Sequence, residues 1–355
     1  MIYIIADDLT GAAEIAGICV RYGLRTSFSL DEVKSLDTYD AQVIATETRQ
    51  HSLSAARKTI SQLCDALPPG VPLFKKTDSA LRGHVEEEME EILQSGRYRN
   101  CLFLPANPSR GRVIEGGIYY IDGIPLDKTP FSTDPEYPAW SSKIEERFPK
   151  MKPWKGPQEH GLYYADAVCT EDLTKLLRQT EQQTLLAGGA DLFEQFLAAL
   201  GYSAGSDESR HQVSFEDALM VCGSTQSKGM PGWPISMMPR STYQGEADAS
   251  PWVGDAVSLL KQFGHIQLRL PTDIRYDASR AAYLRTVTAE AVSLLLQHYP
   301  VREVYIEGGA TAYSVLERMG WKELTLSCVY APGVVRMQHA SCGITVKPGS
   351  YPWPW

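Results

Sequence analysis

The 355-residue chain carries 34 Lys and Arg against 43 Asp and Glu, a formal net charge of −9, and 43% of its residues are hydrophobic. At about 100–200 residues per domain the length argues for two domains, and the apolar content excludes wholesale disorder. So acidic a chain lacks the basic stripe that generic DNA or RNA binding requires.

From the N-terminus, the run Met1–Ile5 predicts a strand, Asp7-Asp8-Leu9-Thr10-Gly11 a turn, and the following AAEIAGICVRYG a helix closing at Gly23. Strand patterns recur at Thr26–Leu30, Ala41–Ala45, Leu73–Lys76 and Cys101–Pro105, with helical patterns at Leu53–Ala66 and Val85–Gln94. This alternation predicts a mostly parallel sheet with helices on both faces. Such sheets bind ligands at the carboxyl ends of their strands. Ile118–Ile121, Asp122-Gly123 and Ile124–Leu126 read as a hairpin with a primed turn. Asp127–Pro157 reads as a long ordered loop with a short helix near Ser141–Phe148, followed by helices at Glu171–Gln182 and Asp191–Leu200. The polar stretch Gly201–Gln212 reads as a linker. Beyond it come a strand at Ala218–Cys222, a strand at Ile266–Leu270, a helix at Arg280–Leu296, a strand at Glu303–Glu307, a glycine turn and a helix at Ala312–Met319. Strand-like segments follow at Thr325–Val329 and Gly343–Lys347. The expected fold is α/β in two domains, 1–205 with a mostly parallel sheet flanked by helices and a smaller α/β domain at 213–355.

The opening MIYIIADDLTG has neither the cationic n-region nor the long apolar h-region of a secretory signal. No stretch reaches the about 18 unbroken apolar residues of a membrane span. Seven scattered cysteines suit neither a disulfide framework nor a zinc site, and seven histidines form no HxxxH or HExxH. A cytoplasmic protein with no metal ligand set and no membrane partner is the expectation.

Six segments could carry chemistry. Asp7 and Asp8 stand where a first strand hands over to a helix. There they could cap the helix, bind hydroxyls or Mg²⁺, or act as a base. Lys75-Lys76-Thr77-Asp78-Ser79-Ala80-Leu81-Arg82-Gly83 puts cations, a carboxylate and a hydroxyl at a strand end. That set suits a small polyhydroxy acid, with Arg or Lys for its carboxylate and Asp and Ser for its hydroxyls; a solvated charge run is the plain alternative. Pro105–Arg112 reads either as an anion loop or as a brace. The glycine turns at Gly223-Ser224, Gly308-Gly309 and Gly343–Gly349 would let backbone N–H groups approach phosphates, or are simply tight turns. GxxxxGK[ST] is absent.

Together these segments resemble the four-carbon acid sugar kinases. The family's "ADDLTGA" stands at Ala6–Ala12, its "KKxDSxLRG" at Lys75–Gly83, and its "PANPSRGR" at Pro105–Arg112. "GGxYYxDGxPLxxT" follows from Gly116 to Thr129 and "DPxxP" at Asp134–Pro138. The C-terminal half is similar through "GS" at Gly223-Ser224, "GGxTA" at Gly308–Ala312 and "ITxKPG" at Ile344–Gly349; it reads as shortened beside the family. The resemblance implies an ATP- and Mg²⁺-dependent kinase of threonate, erythronate or oxo-tetronate-like acids. It implies acid sugar on the N-terminal domain and nucleotide on the C-terminal one. It puts substrate contacts on Asp8, Arg49, Lys76, Asp78, Ser79 and Arg82, and nucleotide contacts on Ser224, Gly308, Gly309, Ala310, Thr311 and Gly349. The chemistry of phosphoryl transfer makes Asp78 and Asp8 the candidates to accept the hydroxyl proton late, Asp78 being favoured because Lys75, Lys76 and Arg82 stand close to it, and leaves Arg82 or Lys76 to stabilise charge or hold the carboxylate. A homodimer is left open. Two other functions compete: an acid-sugar-binding protein with lost kinase activity, and a Mg²⁺-dependent hydrolase or lyase built on Asp7 and Asp8.

Overall fold

Parallel strands covered on both faces become near-continuous apolar runs, and β1 (Ile2–Ala6), β2 (Thr26–Leu30) and β3 (Ala41–Ala45) are buried along their whole length. They belong to the first of two units, Met1–Ser206 and Asp207–Trp355, in a computed structural model. The structure describes residues 1–34, 38–134, 136–156, 159–205, 213–223, 227, 229–271, 278–349 and 352–355.

The first unit continues with β4 (Leu73–Lys76), β5 (Asn100–Leu104), β6 (Arg112–Glu115), β7 (Ile118–Ile121), β8 (Ile124–Pro125), β9 (Met151–Pro153), β10 (Gly161–Tyr164) and β11 (Thr184–Gly188). Its helices are α1 (Leu9–Arg21), α2 (Leu53–Ala66), α3 (Val85–Gln94), α4 (Ile144–Arg147), α5 (Thr170–Leu177) and α6 (Ala190–Ala199). Eight strands run parallel in the order β2-β3-β1-β4-β11-β5-β10-β9. The chain passes from β3, on one side of β1, to β4 on the other, so a topological switch point lies at β1. Register levels the three strand ends there, with Ala6 opposite both Ala45 and Lys76. The segments after β1, β3 and β4 therefore leave the sheet side by side.

The buried stripes of α2 and α3, with Ile60, Leu63, Met89 and Ile92, join Phe103, Tyr119 and Leu185 in one core. The antiparallel ribbon β6-β7-β8 turns at Asp122 (φ 51°) and Gly123 (φ 75°), both left-handed as a primed turn requires.

The second unit has β12 (Ala218–Cys222), β13 (Ile235–Met237), β14 (His265–Arg269), β15 (Glu303–Glu307), β16 (Glu323–Ala331), β17 (Val334–His339) and β18 (Cys342–Lys347). Its helices are α7 (Arg240–Gln244), α8 (Ser250–Phe263), α9 (Ala278–His298) and α10 (Gly309–Met319). The strands β13-β14-β12-β15-β18 are parallel, and β17 and β16 add an antiparallel meander. Phe215, Tyr305, Trp353 and Trp355 form an aromatic cluster within this unit. Among the described residues no helix is long and apolar enough to cross a membrane.

Candidate functional site

The three level strand ends deliver four carboxylates and two guanidinium groups to one place. Asp7 and Asp8 follow β1, Glu47 and Arg49 follow β3, and Asp78 and Arg82 follow β4. Arg49 is the hub: one of its terminal nitrogens lies 3.4 Å from Asp7, 3.0 Å from Asp8 and 3.4 Å from Asp78. Arg82 closes a bidentate pair on Asp78, donating from Nε at 2.9 Å and Nη2 at 3.0 Å. It also reaches Asp134 at 3.5 Å and lies over the Phe131 ring. Side-chain exposure is 9% for Arg49 and 30% for Arg82, so Arg82 marks the solvent side.

Local sequence explains the geometry. Asp8 caps α1, accepting from the Gly11 N–H at 2.9 Å and from the Thr10 hydroxyl at 2.5 Å. A Cβ at Gly11 would stand 2.6 Å from the Asp8 carboxylate, which explains the glycine in Asp-Asp-Leu-Thr-Gly. Gly83 adopts φ +90°, and a Cβ there would crowd Arg49 Cγ at 3.3 Å and Asp7 at 3.5 Å, so the Arg-Gly pair both turns the chain and leaves room for Arg49. Asp78 Oδ2 accepts from the Ala80 and Arg82 N–H groups at 3.0 and 3.2 Å besides Arg82 Nε. Oδ1 accepts from Arg82 Nη2 at 3.0 Å and lies 3.4 Å from a terminal nitrogen of Arg49.

The carboxylates divide electrostatically. Burial pushes Asp78 up, but Arg49, Arg82 and Lys76 outweigh it and hold it well below the usual range. Asp8 is likewise lowered, against burial, by Arg49, Lys76 and Thr10. Burial dominates at the other two: Asp7 is pushed up to about 6, and Glu47, with Asp8 adding to the effect, up to about 8. Four surrounding carboxylates raise Arg49 well above its ordinary value against the cost of burial.

All six residues expected to contact the acid are brought to this region. The Lys76 ammonium donates to the Thr77 carbonyl at 2.9 Å and lies 3.6 Å from Glu14. Ser79 is half-buried; its hydroxyl accepts from Arg112, and its carbonyl accepts from Tyr119 at 2.8 Å. Lys75 instead forms a buried pair with Glu88 at 2.6 Å. In Pro105–Arg112, Asn107 and Ser109 bond the start of α6 through Asp191, which is the brace, while Arg110 reaches Glu14 at 3.3 Å. Sequence reasoning passed over Glu47; the signal was the polar Thr-Glu-Thr-Arg run directly after an apolar strand.

In the second unit, parallel register sets Glu307 opposite both Cys222 and Lys347, so three more strand ends are level. Gly308 (φ +95°) precedes α10 and donates to the Lys347 carbonyl at 2.9 Å. Among the described residues no side chain caps α10, and the N–H groups of its first turn, at Gly309, Ala310 and Thr311, have no helical partners. A Cβ at Gly223 would meet Thr311 Oγ1 at 2.2 Å and the Glu307 carbonyl at 2.7 Å. Glu307 and Lys347, neither expected from sequence, pair at 3.2 Å, and Trp353 donates to Glu307 at 2.7 Å. Gly349 follows β18 one residue beyond Pro348; Ser224 lies outside the described residues.

Residues 2–155 match the family described as the sugar-binding N-terminal domain, a span that contains the whole arginine–carboxylate cluster. A D-threonate kinase of Salmonella typhimurium is 31% identical over 148 residues, 40% of this chain and 35% of that protein. A D-erythronate kinase of Heliobacterium modesticaldum is 30% identical over 41% of this chain and 35% of its own length. A 3-oxo-tetronate kinase of Cupriavidus necator aligns at 23% identity over 99% of this chain and 94% of its own. The chain is thus similar to the four-carbon acid sugar kinases, and its residues 2–155 match their sugar-binding N-terminal domain family. It matches about a third of the length of the first two of these family members. Solved structures of Haemophilus influenzae protein HI1011 and of a Salmonella typhimurium LT2 protein share the fold over 99% of the chain, with TM-scores of 0.71 and 0.74 at 18% identity.

The donor set does not suit a bound metal. Among the described residues no group of three or more His, Cys, Asp or Glu side chains is disposed to hold one, because a guanidinium occupies the centre of the carboxylate cluster. The second unit offers a close-packed glycine at Gly223 and, among the described residues, a helix start at α10 that no side chain caps.

Proposed function

We propose that the protein phosphorylates a hydroxyl of a four-carbon sugar acid at the expense of ATP, with the acid on the first unit and the nucleotide on the second. The observation that carries the reading is the convergence of Asp8, Arg49, Asp78 and Arg82 at the β1 switch point, inside the stretch that matches the sugar-binding family. Arg82, the more exposed guanidinium, takes the substrate carboxylate; its planar fork suits a bidentate partner. Asp8 and Ser79 bind hydroxyls, and Lys76 adds positive field beside them. Asp78, kept ionised by its cations, orients the reacting hydroxyl through Oδ1 and receives its proton late in transfer. The backbone N–H groups of Gly309, Ala310 and Thr311 hold the nucleotide phosphates, Gly308 shapes the turn that leads into them, and Ser224 and Gly349 complete the nucleotide contacts. ATP supplies the phosphoryl group, and Mg²⁺ enters on its phosphates.

The test is a thermal-shift screen of D-threonate, D-erythronate and 3-oxo-tetronate, each with and without Mg-ATP, followed by ADP release from the hits. Binding raises the apparent midpoint by mass action. Stabilisation by an acid together with acid-dependent ADP release supports the kinase. Stabilisation by an acid with no ADP release and no shift with Mg-ATP supports an acid-sugar-binding protein instead. Absence of any acid-dependent shift refutes both.

A further inference from the structure

The cluster holds more negative groups than its cations can match. Asp7, Asp8, Glu47 and Asp78 are each under 10% exposed, and Arg49 is shared among three of them. Arg82 is engaged by Asp78, Lys76 is drawn toward Glu14, and Lys75 is paired with Glu88. Around Asp7 and Glu47 the facing groups are Asp8 at the start of α1, Arg49 after β3, Lys75 on β4, Asp78 and Arg82 after β4, and Glu88 on α3. His84, beside Gly83, is turned onto the His51 carbonyl at 2.8 Å, and the Tyr137 hydroxyl bonds the Arg49 carbonyl at 2.5 Å. Two further observations single out Asp7 and Glu47. Asp7 Oδ1 is buried without any hydrogen-bond partner. Glu47, a non-glycine residue at φ 44°, is buried with no cation within ion-pair distance among the described residues; the Leu9 N–H, 3.1 Å from its carboxyl, favours the ionised form but is outweighed by burial. Buried carboxylates left short of cations take up protons.

We infer that Glu47 sits in the free site as a neutral carboxylic acid and that Asp7 takes up a proton, on its unpartnered oxygen, when an anionic sugar acid binds. The inference rests on the sugar-acid reading of this site and adds how an anion enters a cluster already rich in carboxylates. The incoming carboxylate adds one negative charge to a region whose arginines are already engaged. A proton on Asp7 restores the balance and weakens the hold of Asp7 on Arg49, which can then turn toward the added charge. The order of the two groups agrees with their surroundings: burial with the Asp8 charge beside it raises Glu47 to about 8, and burial raises Asp7 to about 6.

Two measurements test it. Infrared difference spectra of the unliganded protein at pH 7, wild type minus Glu47→Gln, report the C=O stretch of a protonated carboxyl. The expected result is a band in the wild type that the variant lacks; no such band overturns the inference, whatever the protein binds. Calorimetric titration with D-threonate and D-erythronate in buffers of different ionisation enthalpy counts protons. About 0.5–1 proton should be taken up per acid bound at pH 7. Asp7→Asn should lose that uptake. Wild-type affinity should fall about three- to tenfold per pH unit near pH 7 through Asp7 and more steeply above pH 8 as Glu47 ionises; Glu47→Gln should remove only the added steepness, and Asp7→Asn only the fall near pH 7. Tight binding with no proton uptake overturns the inference and leaves the sugar-acid reading standing. An infrared band without binding of any four-carbon acid overturns the sugar-acid reading and, with it, the coupling to Asp7.

Discussion

Asp78→Asn is the most informative single substitution in the first unit. The change keeps size and shape and removes the charge. An asparagine carbonyl placed at Oδ2 could still accept from the Ala80 and Arg82 N–H groups, found at 3.0 and 3.2 Å. Its NH₂ would then face Arg82 Nη2, 3.0 Å from Oδ1, and Arg49 Nη2, 3.4 Å away, setting donors against donors. Removing one partner of a buried pair costs about 3–5 kcal/mol. Arg82, 30% exposed and within 3.5 Å of Asp134, can rehydrate and lean on a second carboxylate, which argues for the lower end. A loss of about 3 kcal/mol lowers the midpoint of a unit of roughly 200 residues by about 6–12 °C. Thermal and urea unfolding at pH 7 measure it, with Asp134→Asn, expected to cost no more than about 1 kcal/mol, as the control. Because Asp78 is also the proposed acceptor of the hydroxyl proton, kcat should fall by about 10²–10⁴. A stability loss below about 1 kcal/mol would refute the pairing argument. A full stability loss with near-normal kcat in the surviving folded protein would make Asp78 an anchor for Arg82 and nothing more.

The remaining expectations are shorter. Arg82→Lys keeps the charge and loses the planar fork on Asp78 and its ligand, so acid affinity should weaken by about tenfold or more in calorimetry, with ATP affinity unchanged. Gly83→Ala puts a side chain at φ +90° against Arg49 and should cost about 1–3 kcal/mol in urea unfolding while also weakening acid binding. Gly223→Ala drives a Cβ to 2.7 Å from the Glu307 carbonyl and should weaken nucleotide binding while sparing acid binding; equal loss of both ligands would indicate general misfolding. The pH dependence has a definite sign. Glu47 and Asp7 have raised folded-state values, so the native state binds more protons than the unfolded chain, and their contribution is complete below about pH 4 and lost as pH rises toward 8. Asp8 and Asp78 are lowered, and theirs is present above the usual carboxylate range and lost on acidification. Glu47→Gln should therefore flatten the fall in stability between pH 5 and 8, read from urea midpoints.

What the sequence disclosed follows from where the physics is local. Leu53–Ala66, Leu73–Lys76 and Val85–Gln94 announce themselves because each has a clean period and a clear stop, and the structure forms them with those bounds. The Asp-Gly hairpin is legible for the same reason: two left-handed residues in a row leave few alternatives. β9, β10, β11 and β17 were not foreseen. β9 and β10 are short segments of Met-Lys-Pro and Gly-Leu-Tyr-Tyr next to prolines and glycines, and they become strands only by pairing beside β5. β17 owes its form to the antiparallel partners on either side of it. α8 was missed because Pro251 and Gly254 interrupt its pattern, although proline is tolerated in a first turn.

The candidate site divides along the same line. Asp8, Asp78 and Arg82 could be named because they stand in dense polar strings at strand ends, and the doubly wound rule then predicts that such ends share a cleft. Glu47 could not, because nothing in Thr-Glu-Thr-Arg says that a glutamate will fold back, through a left-handed backbone, onto the first N–H of a helix 38 residues earlier. That contact exists only because β3 and β1 pair in register, with Ala45 beside Ala6. The same pairing brings Arg49 against Asp7 and Asp8 and so turns isolated charges into a network. A carboxyl's charge state is set by what surrounds it in space, so the property that makes Glu47 and Asp7 unusual is a product of strand order and register, whereas the residue types that bind a hydroxyl or a carboxylate are written directly in the chain.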